Sequence, residues 1–302
     1  METTSQEQRS RRAGEAALAG PEARQMLIDA MPVTERRIEL GGFPTAVLEG
    51  GTGPPVVLLH GPGEFAAKWF AVIPDLVATH RVIAPDLPGH GASAGGGPVD
   101  GERVLVWLAE LIARTCPAPP ALVGQIVGGA IAARFVARSG DRVERLVLVD
   151  ALGLSTFQPA AEFGTALSDF LQSRTPETLD RLWARCAFDL DALRERLGDR
   201  WRALRAYALD RANAPAALGA MQSLMAAFGM PAIPEAELEA IAAPTFLIWG
   251  RHDLATPLAV AQAAGARYGW PLEVVEGAAD DPPIEQPAAF LAALRRTLGD
   301  AE

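Results

Sequence analysis

One lysine, Lys68, stands in a chain of 302 residues, and every other basic side chain is arginine. Base is scarce overall: 27 Lys plus Arg face 37 Asp plus Glu, a formal net charge of −10. Such a surplus of acid repels phosphate backbones and anionic headgroups, which excludes nucleic acid and a membrane surface as partners. Cysteine is nearly absent. Cys116 and Cys186 cannot build a disulfide framework or make a zinc site alone, and both are expected to be inert. No apolar run reaches membrane-spanning length. Met1–Gly14 is polar with no apolar stretch behind it, which argues against a secretory signal and for a cytoplasmic location. There are no internal repeats. No His, Cys or carboxylate cluster has metal-ligand spacing, and no Gly-rich phosphate loop follows a strand, so neither a metal nor any other cofactor is expected.

Apolar residues make up 49% of the chain, enough for a large core. The length suits one α/β domain with an insertion. Residues 1–32 read as a peripheral polar leader. Arg37–Leu40 and Thr45–Leu48 flank Gly41-Gly42 as an edge hairpin. Six short apolar runs follow: Val56–Leu59, Arg81–Ala84, Ala121–Val123, Leu146–Val149, Thr245–Trp249 and Leu272–Val275. Their brevity and Val/Ile/Leu content suit parallel strands buried on both faces. Helical periodicity lies between them, as in Val104, Leu105, Leu108, Leu111 and Ile112 behind the N-cap candidate Asp100. The alternation predicts an α/β class fold, a doubly wound, mostly parallel sheet with ligands at the carboxyl ends of its strands. Residues 155–234 break it with helical periodicity alone. They read as a helical lid over a core formed by 33–154 and 235–302. Ala92–Pro98 reads as a surface loop.

Three motifs follow successive strands. The first is His60-Gly61-Pro62-Gly63-Glu64, with Trp69 shortly after. The second runs from Ala84 to Ser93 through Asp86, Gly89, His90 and Gly91. The third, Gly124-Gln125-Ile126-Val127-Gly128-Gly129-Ala130, makes a sharp strand-to-helix turn. With the helical insertion and Trp249-Gly250-Arg251-His252-Asp253, the ordered set resembles the α/β-hydrolase superfamily. It is most similar to the branch holding C–C bond hydrolases, epoxide hydrolases and esterases, from about Arg37 onwards.

The resemblance implies a nucleophile elbow, G-x-S-x-G, whose strained turn presents its central side chain to the pocket. Ile126 stands at that centre, with neither a lone pair to attack nor a proton to transfer. Counting back from Glu285-Gln286-Pro287 puts Asp280 where the family has its histidine, and Asp253 matches the acid after the penultimate strand. Loss of the serine or the histidine alone costs about a millionfold in a worked protease example, which argues against an acyl-enzyme. The implied oxyanion donors are the N–H of Val127 and one from the His60-Gly61 loop, where Pro62 has none to give and Gly63 is the candidate substitute.

Two expectations follow for the chemistry. Asp253 and Asp280 should lie together and share a proton, a general acid/base device. Glu64 and Gln125 should flank the elbow, Gln125 with the catalytic pair. Gly63, Glu64, Trp69, Ile126, Val127 and His252 are the expected substrate-binding residues. Plainer roles compete: Asp280-Asp281 as an exposed turn, Asp253 as a helix cap, His60 and His90 as structural residues and His80 as solvent-exposed. Phe170, Trp183, Tyr207, Met221 and Met225 are expected to be helix packing rather than pocket wall.

The expected function is a non-hydrolytic enzyme acting on a small, largely apolar metabolite, as a monomer or homodimer. It would catalyse cyclisation, C–C bond formation or elimination in specialised natural-product (antibiotic) biosynthesis, a lyase or cyclase without a covalent intermediate. The alternatives are a hydrolase that activates water with Asp253 or Asp280 on an epoxide or lactone, and a ligand-binding protein without turnover.

Overall fold

The computed structural model describes residues 18–93 and 99–299. Most of the glycine-rich stretch expected as a surface loop, residues 94–98, lies outside them, as does the first part of the leader, 1–17. The rest of that leader is built into the body. α1 (Gly20–Asp29) buries Ala23, Leu27 and Ile28. Its Arg24 guanidinium donates to Asp86 Oδ2 at 2.7 Å. Asp86 is fully buried and also accepts from the N–H groups of Ala66 (2.6 Å) and Ala92 (2.7 Å). A buried carboxylate needs such donors, and one of them comes from α1.

β1 (Thr34–Leu40) and β2 (Phe43–Gly50) pair antiparallel across Gly41 and Gly42. Both glycines have positive φ, +54° and +76°, the pair of conformations that a two-residue hairpin turn requires. The six apolar runs become β3 (Pro55–Leu59), β4 (Arg81–Pro85), β5 (Ala121–Gln125), β6 (Arg145–Val149), β7 (Thr245–Gly250) and β8 (Leu272–Val275). The eight strands form one sheet in the order β1-β2-β4-β3-β5-β6-β7-β8, parallel from β4 to β8. Every residue of β3 and β5 is buried, as the unbroken apolar runs require of strands covered on both sides. The doubly wound α/β fold is as expected.

α2 (Gly101–Thr115) starts at Asp100, whose carboxylate accepts from Glu102 N at 3.1 Å. α3 (Val127–Ser139) follows β5 directly. Between β6 and β7 the chain is helical: α4 (Ala161–Gln172), α5 (Pro176–Cys186), α6 (Leu190–Leu197), α7 (Asp199–Asn213) and α8 (Pro215–Leu224), ending in a π-helical turn over Met225–Gly229. α9 (Leu258–Tyr268) and α10 (Pro287–Leu298) complete the layers. Two apolar cores result, one on each face of the sheet. His80, expected in solvent, is 4% exposed, and its Nδ1 lies 2.9 Å from Thr79 Oγ1. The turn between Leu76 and β4 folds it inward. No described helix is long and apolar enough to cross a membrane.

Candidate active site at the carboxyl ends of the strands

The turn between β5 and α3 is closely packed. Ile126 sits there with φ +50° and ψ −111°. A β-branched residue at positive φ is strained by about 1–3 kcal/mol. Three bonds fix it: Ile126 N donates to Val149 O (3.0 Å), while Ile126 O accepts from Ala130 N (3.2 Å) and Leu152 N (3.1 Å). The flanking glycines are required by space. A Cβ on Gly128 would meet His60 O and Leu59 O at 2.6 Å, and one on Gly124 would meet Gly128 O at 2.4 Å. The turn therefore presents its central side chain upward, and that side chain is an alkyl group. At the start of α3 the Val127 N–H has no intrahelical partner.

Above this edge lies a cavity of about 460 Å³, roofed by the helical segment. Its wall is almost wholly apolar. Phe170, Trp183, Tyr207, Met221 and Met225 all line it. Their helical spacing was expected to mean packing between helices, but the face they share turns toward the cavity. Cys186 lines it too. Burial, helped by the charge of Asp280, pushes its thiol well above the usual range, so it stays protonated and unreactive.

Polar groups gather at the floor. The Lys68 ammonium contacts Glu64 and lies 2.8 Å from Asp281 Oδ2. Gln125 Nε2 donates to Asp281 Oδ1 (3.2 Å) and to Asp280 O (3.1 Å), and Gly61 N donates to Glu64 Oε2 (2.9 Å). Burial works against the charge on Lys68, but Asp281 and Glu64 outweigh it and hold its pKa above the ordinary value. Glu285 accepts from Ala279 N (2.7 Å) and Phe188 N (2.6 Å), fastening α5's end to the loop after β8. Burial lifts its pKa to about 7.

Asp280 lies deep in the fold with part of its surface open to the cavity. Burial raises its pKa well above the usual carboxylate range, and the neighbouring charges of Asp253 and Asp281 add to the rise. Asp253 is near, as expected, but its oxygens are occupied. Oδ1 accepts from Ala255 N (2.7 Å) and Thr256 N (2.9 Å), and Oδ2 accepts from the Thr256 hydroxyl. Its pKa is lifted to about 6, chiefly by burial. The carboxyl coupled most closely to it is Asp150, a residue that sequence reading missed. Asp150 directly follows β6 with φ +43°, and its Oδ1 accepts from Gly250 N at 2.8 Å. Its Oδ2 is buried without a donor. Burial and the charge of Asp253 raise its pKa well above the usual carboxylate range. The available signal was an aspartate at the carboxyl end of a parallel strand.

Of the residues predicted from sequence, Gly63, Glu64, Ile126 and Asp280 line the cavity together. Gln125 lies just beneath and reaches both Asp280 and Asp281. Asp253 and Val127 sit behind the wall, buried. Trp69 is elsewhere: it is 1% exposed, in the core against Phe290 at 6.2 Å. His252 is exposed and stacks on Phe188 at 4.4 Å. His60 uses both ring nitrogens, with Gly61 O at 2.7 Å and Leu87 N at 3.0 Å, and burial drops its pKa to about 3. His90 is held by Pro88 O at 3.2 Å and is likewise lowered by burial, to about 4. Among the described residues no group of His, Cys, Asp and Glu is placed to hold a metal ion.

Comparison with known proteins agrees with this geometry. The model of the alpha/beta hydrolase fold family matches residues 54–281. The chain is 30% identical over 256 residues to a pimeloyl-[acyl-carrier protein] methyl ester esterase of Aeromonas hydrophila, covering 82% of this chain and 97% of the relative. It is 32% identical over 241 residues to a 2-hydroxymuconate semialdehyde hydrolase of a Pseudomonas species, covering 75% and 80%. The meta-cleavage product hydrolase of Pseudomonas fluorescens superposes with a TM-score of 0.73 at 25% identity, over 87% of this chain and 97% of that one. These relatives are named esterases and hydrolases. They overturn the expectation of a non-hydrolytic lyase or cyclase making C–C bonds in antibiotic or other natural-product biosynthesis. Ile126 at the elbow and Asp280 at the histidine position suggested that reading, but two substituted positions do not by themselves carry a change of reaction class.

Proposed function

The chain belongs to the α/β-hydrolase fold family, and from that membership we propose that it is a hydrolase cleaving an ester or lactone of a small, largely apolar molecule. The attacking group is a water molecule activated by Asp280. The observation that carries this reading is the place of Asp280, which shares the cavity wall with Ile126 and has a raised pKa. A general base works best when its pKa approaches the operating pH.

In the proposed cycle the Asp280 carboxylate takes one proton from water as the water oxygen bonds to the carbonyl carbon. The carbonyl π pair moves to oxygen, where the Val127 N–H at the start of α3 donates to it. Collapse breaks the C–O bond, and Asp280 returns its proton to the leaving alkoxide. Gln125 holds the Asp280 loop from below. Residues 155–234 act as the lid over a core of 33–154 and 235–302. The enzyme needs no cofactor and works in the cytoplasm, as a monomer or homodimer.

The test is turnover of a panel of aryl and alkyl esters and lactones in heavy-oxygen water. We expect label in the product acid, no inhibition by a fluorophosphonate, and a loss of about a hundredfold or more in Asp280→Asn. Inhibition by the fluorophosphonate, or full activity in Asp280→Asn, overturns the reading. Ile126 supports one competitor: its Cδ1 reaches toward Gly61 in the seat of a nucleophile, as suits a protein that binds without turnover. Ligand binding with no hydrolysis across the panel would establish that competitor instead.

A further inference from the structure

The polar residues at the cavity floor are mostly acidic, with Glu64, Asp280, Asp281 and Glu285 around Lys68. The helical wall carries the opposite sign. Arg174, in the connection between α4 and α5, and Arg211, in the last turn of α7, both line the cavity. Asn213 Nδ2 donates to the carbonyl of Arg174 at 3.2 Å, which ties this connection to the turn of α7 that carries Arg211. Arg211 has a partner in Asp210. Arg174 has none: its Nε is buried without an acceptor, and no hydrogen bond or ion pair of its guanidinium is present among the described residues. A guanidinium cannot shed its charge. Its buried Nε, left without an acceptor at an apolar wall, gains a partner when an anion enters the cavity.

We propose that Arg174, with Arg211 on the same cavity wall, is an anion subsite that takes the carboxylate of an otherwise apolar ligand. The planar fork of arginine matches a carboxylate in a bidentate contact. The acidic floor repels the same group, so the two ends of the cavity set one orientation: carboxylate toward α4, α5 and α7, and the remainder toward Ile126 and Asp280. This deepens the hydrolase reading, on which it rests for turnover only, by naming the substrate class as an apolar ester or lactone with a second, free carboxylate.

The experiment is calorimetric titration of the full chain with decanoate and with its neutral isostere decanamide, at pH 8. The expected result is a preference of about tenfold for decanoate. Arg174→Gln abolishes that preference and leaves decanamide binding unchanged, which also reports an intact fold; Arg174→Lys retains part of it. Equal binding of the two probes by the unaltered chain, a preference that survives Arg174→Gln, or no binding of decanoate overturns the subsite. The preference persists in Asp280→Asn, so loss of the hydrolase reading and loss of the subsite are separate results.

Discussion

Lys68 Nζ lies 2.8 Å from Asp281 Oδ2, and this contact joins the loop after β3 to the loop after β8. The chain's single lysine thereby offsets the charge of the carboxylate next to Asp280. Through Glu64 the same ammonium also steadies the Gly61 amide, so the two loops beside the elbow share one cation.

Replacing Lys68 by methionine keeps the side chain's bulk and removes its charge. Asp281 and Glu64 are then left partly buried without a counter-ion, a loss of about 3–5 kcal/mol for a buried pair and less here because both carboxylates keep some exposure. Loss of the cation raises the folded-state pKa of Asp281, so the destabilisation is largest above neutrality and shrinks as the pH falls and that carboxylate protonates. Urea unfolding of Lys68→Met and the unaltered chain at pH 8 and pH 5 measures this. An equal loss of stability at both values contradicts it.

Glu285 gives the native chain its own pH dependence. Its folded pKa is about 7, against an ordinary value of 4.5, because burial penalises the charged form. A raised carboxyl pKa means that the folded state binds the proton more tightly than the unfolded chain. The contribution to stability is complete below about pH 4.5 and is lost as the pH rises through 7. Asp253, lifted to about 6, acts in the same direction. Stability should decline by roughly 2–4 kcal/mol between pH 5 and pH 8. Glu285→Gln should flatten that decline, at the cost of leaving the Ala279 or Phe188 amide without an acceptor. Thermal unfolding across the range reads both effects, and a profile of unchanged slope in Glu285→Gln would refute the assignment.

The sheet was legible because each strand is short, apolar and bounded by Gly, Pro or Asp, and burial on both faces leaves no other use for such runs. The hairpin was legible from Gly41-Gly42, whose backbone freedom the turn needs. What was not legible depends on loops meeting in space. Asp253 was placed near Asp280, but the pattern could not show that Ala255 and Thr256 fold back onto its oxygens or that Asp150 approaches from β6. Lys68 was visible as a lone lysine, and its two carboxylate partners lie on different loops. Helical spacing marked Phe170, Trp183 and Met221 as apolar faces, yet the same spacing serves a packed interface and a cavity wall.

Ile126 offers the most direct check on the elbow. In a relaxed extended segment alanine is the better residue than glycine, by roughly 0.5–1 kcal/mol of backbone entropy. At φ +50° the order should reverse, since a Cβ is strained there and glycine is not. Comparing Ile126→Gly with Ile126→Ala isolates this term, because both variants lose the same contacts with the cavity and differ by one methyl group. We expect the glycine variant to be the more stable of the two by about 1 kcal/mol, a few degrees in melting temperature. The retained strain at a position with no nucleophile then has a structural cause: Gly124, Gly128 and the Val149 and Leu152 hydrogen bonds impose the turn whatever side chain stands on it. An alanine variant that melts higher than the glycine variant would mean that the turn relaxes in solution, and that residue 126 is not held in the elbow conformation.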